Sequence, residues 1–135
     1  MIPETEHSKK QKTLRKVLLI EDSHTARTYL RHTLSSHYDG IEIKEAKDGK
    51  EGLGILKSAS VDLIITDLEM EGMNGVNFVE MMQNNRILAK KPIIIYSSAI
   101  TPELITQIKV YQKVRALEKS NNPNALYQTI EELLK

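Results

Sequence analysis

Four short apolar runs in the sequence each end on polar or charged residues. The run VLLIED ends at Glu21 and Asp22, VDLIITD at Asp67, PIIIYS at Ser97 and VRALEK at Lys119. Carboxylates supply the oxygen ligands that hard divalent cations prefer, and hydroxyl and ammonium groups can bind the oxygens of a phosphoryl group. A single acid after an apolar run would be uninformative, but this set predicts one site for a divalent metal ion and a phosphoryl group.

A regular alternation of strand and helix patterns would position these residues. Residues 17–20 form a continuous apolar run, which is typical of a strand buried on both faces of a parallel sheet. After Ser23, apolar residues recur with helical spacing and predict a helix that follows the first strand directly. Residues 41–46 alternate weakly and predict an edge strand, while residues 61–66 and 92–96 predict two more strands.

Several helix starts are signalled by side chains that cap a helix or fix its first turn. These signals are the capping-box residues Asp48 and Glu51, the pair Asn74-Gly75, and the proline-containing pairs Thr101-Pro102 and Asn122-Pro123. With the strand that ends at Lys119, the chain contains five strand–helix units. This alternation predicts an α/β fold, a doubly wound, five-stranded parallel sheet flanked by five helices. We take its strand order to be the flavodoxin-like order 2-1-3-4-5.

The predicted sheet brings the polar strand ends together at one edge. Ligands bind at the carboxyl ends of such strands where the strand order reverses, here between strands one and three, and Asp22 and Asp67 would flank that point. Neighbouring strands lie about 4.8 Å apart, so the two carboxylates would repel each other unless they shared a cation such as Mg²⁺. Ser97 could donate a hydrogen bond to an oxygen held at Asp67, whereas Lys119, roughly 10 Å away by strand spacing, needs its long side chain to reach.

Length and composition predict one domain after a short tail. The chain has 135 residues, 40% of them apolar, and no cysteine. We expect residues 1–15 to be a flexible polar leader and residues 16–135 to form the domain. The basic tail lacks aromatic residues and could touch an acidic partner or a nucleic acid, but a solvated leader is the favoured interpretation. No DNA-binding element is visible, so neither a nucleic acid nor a membrane is expected as a partner. No apolar stretch approaches the length of a bilayer span and no signal-peptide pattern is present, which favours a cytoplasmic protein.

Taken together, these residues resemble the receiver domains of two-component response regulators, with the resemblance covering about residues 16–135. The residues that carry it are spread along the chain: the acidic pair Glu21-Asp22 in VLLIEDS, the segment DLEMEGMNG that starts at Asp67, Ser97 after PIIIY, and Lys119 at the end of strand five. The set is specific, although each of its members is common by itself.

The resemblance implies a magnesium-dependent acceptor site. Asp67 would take a phosphoryl group from a histidine kinase or phosphotransfer protein and form an acyl phosphate. Asp22 would bind Mg²⁺ directly, Glu21 mainly through water, and Asp67 and the backbone carbonyl of Glu69 would complete the protein ligands.

The resemblance also implies how the phosphorylated state would be sensed. Ser97 would bind a phosphoryl oxygen and carry the switch, while Lys119 would pair with the phosphoryl group. The expected output is a changed surface at about residues 101–134, which would bind a downstream protein. Glu69 and Ala99, two residues beyond Asp67 and Ser97, would set the lifetime of the acyl phosphate.

Three positions depart from the family pattern. Glu71 stands where proline usually follows Met70, which predicts a less stiff loop. Ser120 replaces the proline that usually follows Lys119 in a cis bond, so we expect a trans bond here, since a non-proline cis bond costs about 2.5–4 kcal/mol. Ala116 occupies the position of the aromatic residue that commonly moves with the switch hydroxyl.

Three functional hypotheses remain open from the sequence. The leading one is a stand-alone, chemotaxis-type response regulator without an effector domain, which catalyses only its own phosphorylation and dephosphorylation. The second is a magnesium-dependent phosphohydrolase with an aspartyl-phosphate intermediate, but such enzymes typically need an aspartate where this chain has Glu69. The third is an adaptor that acts without phosphorylation, a hypothesis that rests on Glu71, Ala116 and Ser120.

Overall fold

The structure is a computed structural model that describes residues 14–70 and 72–135. Five strands and five α-helices alternate along this part of the chain. The strands are β1 (Lys16–Ile20), β2 (Glu42–Ala46), β3 (Leu63–Thr66), β4 (Ile93–Ser97) and β5 (Val114–Glu118). The helices are α1 (His24–His37), α2 (Gly49–Ser58), α3 (Gly75–Gln83), α4 (Pro102–Ile108) and α5 (Asn124–Leu133), and a short 3₁₀ helix, Leu88–Lys90, precedes β4.

All strand pairs are parallel and the strand order is β2-β1-β3-β4-β5. The predicted doubly wound sheet is therefore confirmed, including β2 at one edge. In β3 and β4 every residue is buried, because helices cover both faces of the central strands. Successive side chains of a strand point to opposite faces, so these continuous apolar runs feed two separate cores.

One core lies under α1 and α5, and the other under α2, α3 and α4. The first packs Leu30 and Leu34 of α1 and Ile130 of α5 against one face of the sheet. The second packs Phe78 of α3 and Leu104 of α4 against the other face. Helices thus lie on both sides of the sheet, and its carboxyl edge is left for a site.

Four of the predicted helix starts are present as local hydrogen bonds. The side chains of Ser23, Asp48, Asn74 and Thr101 each accept from a backbone N–H in the first turn of their helix. The start predicted at Asn122 is different, because α5 begins at Asn124 with Pro123 as its N-cap. The Asn122 side chain still accepts from the Asn124 N–H at 3.0 Å, so it braces the turn before the helix.

Two boundary expectations concern the start of the chain and of β3. Leu14 lies within the range predicted as a leader and is fully buried. Residues 1–13 lie outside the described residues. Glu71 also lies outside them, and with it the less stiff loop that was expected at that position. The third strand begins at Leu63 rather than at residue 61, because the Asp62 carboxylate accepts from the backbone N–H groups of Arg15 and Lys16. Within the described residues, no helix is long and apolar enough to cross a membrane.

Candidate functional site

Backbone hydrogen bonds align the polar strand ends in one row. The N–H of Glu21 donates to the carbonyl of Ala46 at 3.0 Å, and the N–H of Asp67 donates to that of Ile20 at 2.9 Å. Between β4 and β5, the N–H of Lys119 donates to the carbonyl of Ser97 at 2.9 Å. The parallel ladder therefore continues one residue past the strands and fixes where each functional side chain starts.

Three carboxylates from the ends of β1 and β3 converge at this edge. One carboxylate oxygen from each of Glu21, Asp22 and Asp67 lies within 4.8 Å of the others. Glu21 is buried, Asp67 is half-buried and Asp22 is exposed, so the cluster opens toward solvent on the Asp22 side. An all-oxygen donor set with an open side fits a hard divalent cation such as Mg²⁺, which keeps several of its waters.

Lys119 joins the cluster from the far strand β5. Its Nζ lies 2.8 Å from Oε1 of Glu21 and 4.0 Å from Oδ1 of Asp67. The long reach predicted for this lysine is thus present, but its shorter contact is with Glu21, a pairing that the sequence did not predict. The ammonium group places one positive charge among three carboxylates.

This ion pair shapes the titration of both partners. Burial raises the pKa of the Glu21 carboxyl above its ordinary value, and the hydrogen bond from Lys119 offsets only part of that rise. Burial alone would lower the pKa of Lys119, but the hydrogen bond to Glu21 and the charges of Glu21 and Asp67 outweigh it, so the pKa is raised. Lys119 therefore remains charged at neutral pH.

Asp67 and Ser97 are each oriented by the loop that follows them. Oδ1 of Asp67 accepts from the N–H of Leu68 at 2.8 Å, which fixes the carboxylate over the end of β3. Ser97 is almost fully buried, and its Oγ accepts from the N–H of Ala99 at 3.2 Å. Because the Ser97 hydroxyl accepts here, its own proton can be donated to an oxygen held at Asp67. Glu69 follows Asp67 with an exposed side chain.

Arg27 is a residue of this site that the sequence analysis missed. Its guanidinium donates from NH1 to the backbone carbonyl of Glu21 and from Nε to Oε1 of Glu45 at 3.1 Å. Glu45 of β2 thus anchors an arginine that holds the acidic loop after β1. The available signal was an arginine in the first turn of the helix after Asp22, together with an acid near the end of the neighbouring strand.

Tyr96 packs in the core under α1 and α5, and its hydroxyl lies at the loop after Lys119. No cis peptide bond lies within the described residues, so the bond between Lys119 and Ser120 is trans, as expected. The Tyr96 hydroxyl lies 3.4 Å from both the backbone N and the O of Ser120. Tyr96 as a residue is 5% exposed, and burial raises the pKa of its hydroxyl. Ala116 of β5 is half-buried and packs against the core under α4.

This chain belongs to the response regulator receiver domain family. The family match, described as "Response regulator receiver domain", covers residues 17–131. The fold, the acidic cluster at the carboxyl edge and the family match agree, so the protein is a receiver domain of two-component signalling. Such domains are signalling switches rather than classical enzymes.

Curated relatives share this domain within longer proteins. The chain is 37% identical over 101 residues to the transcriptional regulatory protein LiaR of Bacillus subtilis, covering 75% of this chain and 44% of LiaR. It is 28% identical over 96 residues to the sensor kinase/phosphatase CqsS of Vibrio cholerae, covering 70% of this chain and 14% of CqsS. The chain therefore spans less than half the length of these relatives.

Solved structures of a chemotaxis protein and of a response regulator have the same fold. CheY4, a chemotaxis protein of Vibrio cholerae, is 31% identical with a TM-score of 0.79, and the match covers 90% of this chain and 99% of CheY4. The response regulator TrrA of Thermotoga maritima, solved in complex with Mg²⁺-BeF, has a TM-score of 0.76 and covers 90% of this chain and 100% of its own. At 24% identity, the similarity to TrrA supports the fold alone.

Proposed function

We propose that this receiver domain is a phosphorylation-dependent switch in which Asp67 accepts a phosphoryl group from a histidine kinase or phosphotransfer protein. The observation that carries the proposal is the position of Asp67, whose carboxylate shares a cluster with Glu21 and Asp22 and lies 4.0 Å from the Lys119 ammonium group. A carboxylate nucleophile, a set of metal ligands and a fixed cation are the parts that phosphoryl transfer requires.

The chemistry rests on positioning and charge neutralisation. A carboxylate oxygen of Asp67 attacks the donor phosphorus, the phosphorus–nitrogen bond to the donor histidine breaks, and its electron pair returns to the imidazole. Lys119 neutralises charge on the phosphoryl oxygens, and Ser97 donates to one of them. The carboxylates of Glu21, Asp22 and Asp67, with the Glu69 carbonyl, would hold Mg²⁺, which when bound neutralises further charge on the phosphoryl group.

The acyl phosphate would act as a signal through its charge. Phosphorylation adds about one negative charge and new acceptor oxygens beside Ser97 and Lys119, the residues at the ends of β4 and β5. β4 leads into residues 101–134 and β5 lies within them, and this is the surface through which we expect a downstream protein to bind. A cytoplasmic location forms part of this proposal.

Incubation with Mg²⁺ and acetyl phosphate tests the proposal against its two alternatives. A stoichiometric adduct in the intact mass, abolished by Asp67→Asn, is the result expected of an acceptor switch. No adduct under any donor condition would favour an adaptor that works without phosphorylation. Sustained release of phosphate over many turnovers would favour a phosphohydrolase. Circular dichroism checks that the Asp67→Asn chain is folded like the unchanged chain.

A further inference from the structure

Two loops at the end of the molecule opposite the acidic cluster carry a concentration of positive charge. They are residues 84–91, before β4, and residues 109–113, before β5, and together we call them the basic end. Five of the chain's 19 basic residues and none of its 18 acidic residues fall in these segments: Arg86, Lys90, Lys91, Lys109 and Lys113. Since the chain's net charge is +1, the remaining residues carry a net charge of −4.

The sheet places the two loops side by side. In the register of β4 and β5, Ile93 lies opposite Val114, so the loops that enter these strands are neighbours at the amino edge of the sheet. Lys90 lines both a depression beside Arg86 and Ile87 and a groove beside Val110. The basic end is therefore one continuous surface rather than two separate loops.

The charges of this surface are not balanced within the described residues. No carboxylate in that part of the chain forms an ion pair with any of the five basic side chains. Arg86, Lys90 and Lys109 are exposed, whereas Lys91 donates to the Ser60 hydroxyl and Lys113 to the carbonyl of Leu133. At least three cationic side chains could thus bind an anionic partner without first breaking an ion pair to a carboxylate of the described residues.

Apolar side chains lie within this charged surface. Ile87 and Val110 are each 77% exposed, the largest exposed fractions among the exposed large hydrophobic residues of the described chain. Val110, Tyr111 and Ala89 line a groove of about 400 Å³, together with Lys90 and Lys113. The groove has room for one large aliphatic or aromatic side chain.

We propose that the basic end binds an acidic segment of a partner protein, which inserts one apolar side chain against Val110 and places its carboxylates near Lys90, Arg86 and Lys109. Charge complementarity would steer the encounter, and burial of Ile87 and Val110 would hold the complex. A bilayer is flat and would leave the groove unfilled. A nucleic acid contacts such surfaces through its phosphates and gains little from exposed aliphatic side chains.

Because the basic end lies at the amino edge of the sheet, its partner would not cover Asp67 at the carboxyl edge. Residues 84–91 lie outside the output surface proposed above, whereas residues 109–113 fall within its range, at the amino end of β5 and away from Asp67. Binding at the basic end should therefore not require a phosphoryl group on Asp67.

The test uses a short fluorescein-labelled probe peptide of glutamates around one central leucine, titrated with the whole chain and followed by fluorescence anisotropy. The double variant Lys90→Glu, Lys109→Glu should bind the probe about tenfold more weakly or worse, since attraction becomes repulsion at two positions. The matched control is Lys47→Glu, Lys50→Glu, which makes the same charge change at two exposed lysines near the other end of the molecule. It should bind as the unchanged chain does.

Further measurements separate the proposal from other occupants. Val110→Ser, or a probe with serine in place of leucine, should weaken binding several-fold, and Asp67→Asn should leave it unchanged. Equal weakening by the two double variants would overturn the proposal. So would binding that does not depend on the probe's leucine. Binding to phosphatidylglycerol vesicles, or to a DNA duplex, at least as tight as to the probe would overturn it too.

Discussion

Lys119 lies between two carboxylates, and its ammonium group is closer to Glu21 than to Asp67. The side chain of Glu21 is 96% buried, so the charge of its carboxylate depends on the ion pair with Lys119. Burial of an unpaired carboxylate costs several kcal/mol, and the group then protonates instead. In the absence of a cation, the pair is therefore a structural contact as well as part of the proposed site.

Lys119→Met should destabilise the fold by about 1–3 kcal/mol at neutral pH, less than for a fully buried pair because Lys119 is partly exposed. Loss of the Lys119 hydrogen bond should raise the pKa of the Glu21 carboxyl further. The loss of stability therefore applies only while that carboxyl is charged. This loss of stability should shrink as the pH falls through the raised pKa, and it should be absent below the unfolded value near 4.5, where Glu21 is protonated in both states.

Urea unfolding at several pH values, with chelator present, measures this effect. Lys44→Met serves as the control, because Lys44 pairs with Glu42 in an ion pair whose two side chains are both more than a third exposed. That pair should contribute about 0–1 kcal/mol. A loss of stability for Lys119→Met that stays constant down to acidic pH would contradict the role assigned to the pair.

Glu69→Ala should lengthen the lifetime of the acyl phosphate. The Glu69 side chain is exposed just after Asp67, where a carboxylate can orient the water that attacks the phosphorus. Phosphate release from the phosphorylated chain, followed after removal of the donor, measures the rate. The control is Glu80→Ala, an exposed glutamate on α3. An unchanged rate in Glu69→Ala would rule out this role.

At the scale of single residues, the sequence predicted which side chains meet but not how they pair. Asp22, Asp67 and Lys119 could be placed because strand ends follow from apolar runs, and parallel strands align their carboxyl ends. The contact of Lys119 with Glu21 depends on side-chain conformation and burial, and the contact of Arg27 with the Glu21 carbonyl depends on helix orientation. Neither is encoded in the spacing of residues.

At the scale of elements, α3 is pressed against the loop that carries Asp67. The N–H of Gly75 donates to the carbonyl of Leu68 at 2.8 Å, and a Cβ at Gly75 would lie 2.6 Å from the Asp67 carbonyl oxygen. Both neighbours are backbone atoms, which cannot move aside as the end of a side chain can. The start of α3 therefore requires glycine for the loop after β3 to keep its place.

Gly75→Ala should destabilise the fold by about 1–3 kcal/mol and slow the reaction with acetyl phosphate, because the loop after Asp67 must shift. Gly54→Ala is the matched control, since a Cβ at Gly54 of α2 would meet nothing within 4 Å. It should stabilise the fold by about 0.5–1 kcal/mol. Urea unfolding of both variants checks the pair, and an equal effect of the two would contradict the close approach.

The contact between α1 and the acidic loop gives a prediction about metal binding. Arg27→Gln removes the donor that holds the Glu21 carbonyl, so affinity for Mg²⁺ should fall by about tenfold. Arg31→Gln is the control, because Arg31 also contacts Glu45, at 3.4 Å, but no contact with Glu21 is present. Isothermal titration with Mg²⁺ compares the variants. Equal losses would mean that only the charge near Glu45 matters.

Helix starts were predictable where a capping side chain accepts from the first turn, as at Asp48 and Thr101. The start of α5 was placed too early because Asn122 caps the preceding turn, a pattern that resembles a helix cap in sequence. The 3₁₀ helix at Leu88–Lys90 was not predicted at all, since so short an element has no periodic pattern.

At the scale of the whole molecule, the fold followed from the sequence because β1, β3 and β4 are uninterrupted apolar runs between helical patterns. General rules for doubly wound sheets leave more than one strand order open, and the order 2-1-3-4-5 came from taking the sheet as flavodoxin-like. The sequence predicted the functional groups at only one of the two ends of the sheet. The acidic cluster was predictable, whereas the basic end became apparent only when two loops were found side by side.

Binding of beryllofluoride with Mg²⁺ should alter amide hydrogen exchange in residues 101–118, which contain α4 and β5, more than in α2. The new charge would lie beside Ser97 and Lys119, and the loops after β4 and β5 start at these residues. Asp67→Asn should abolish the change. Exchange that changes equally in α2 and α4, or in neither, would contradict an output through this surface.

The most direct test of the central claim is to locate the phosphoryl group by peptide mass spectrometry after treatment with acetyl phosphate. We predict that the adduct lies on Asp67, and that it disappears when Mg²⁺ is removed by chelation. An adduct on Asp22, Glu21 or any other residue, or an adduct on Asp67 that forms equally well without the metal, would contradict the account.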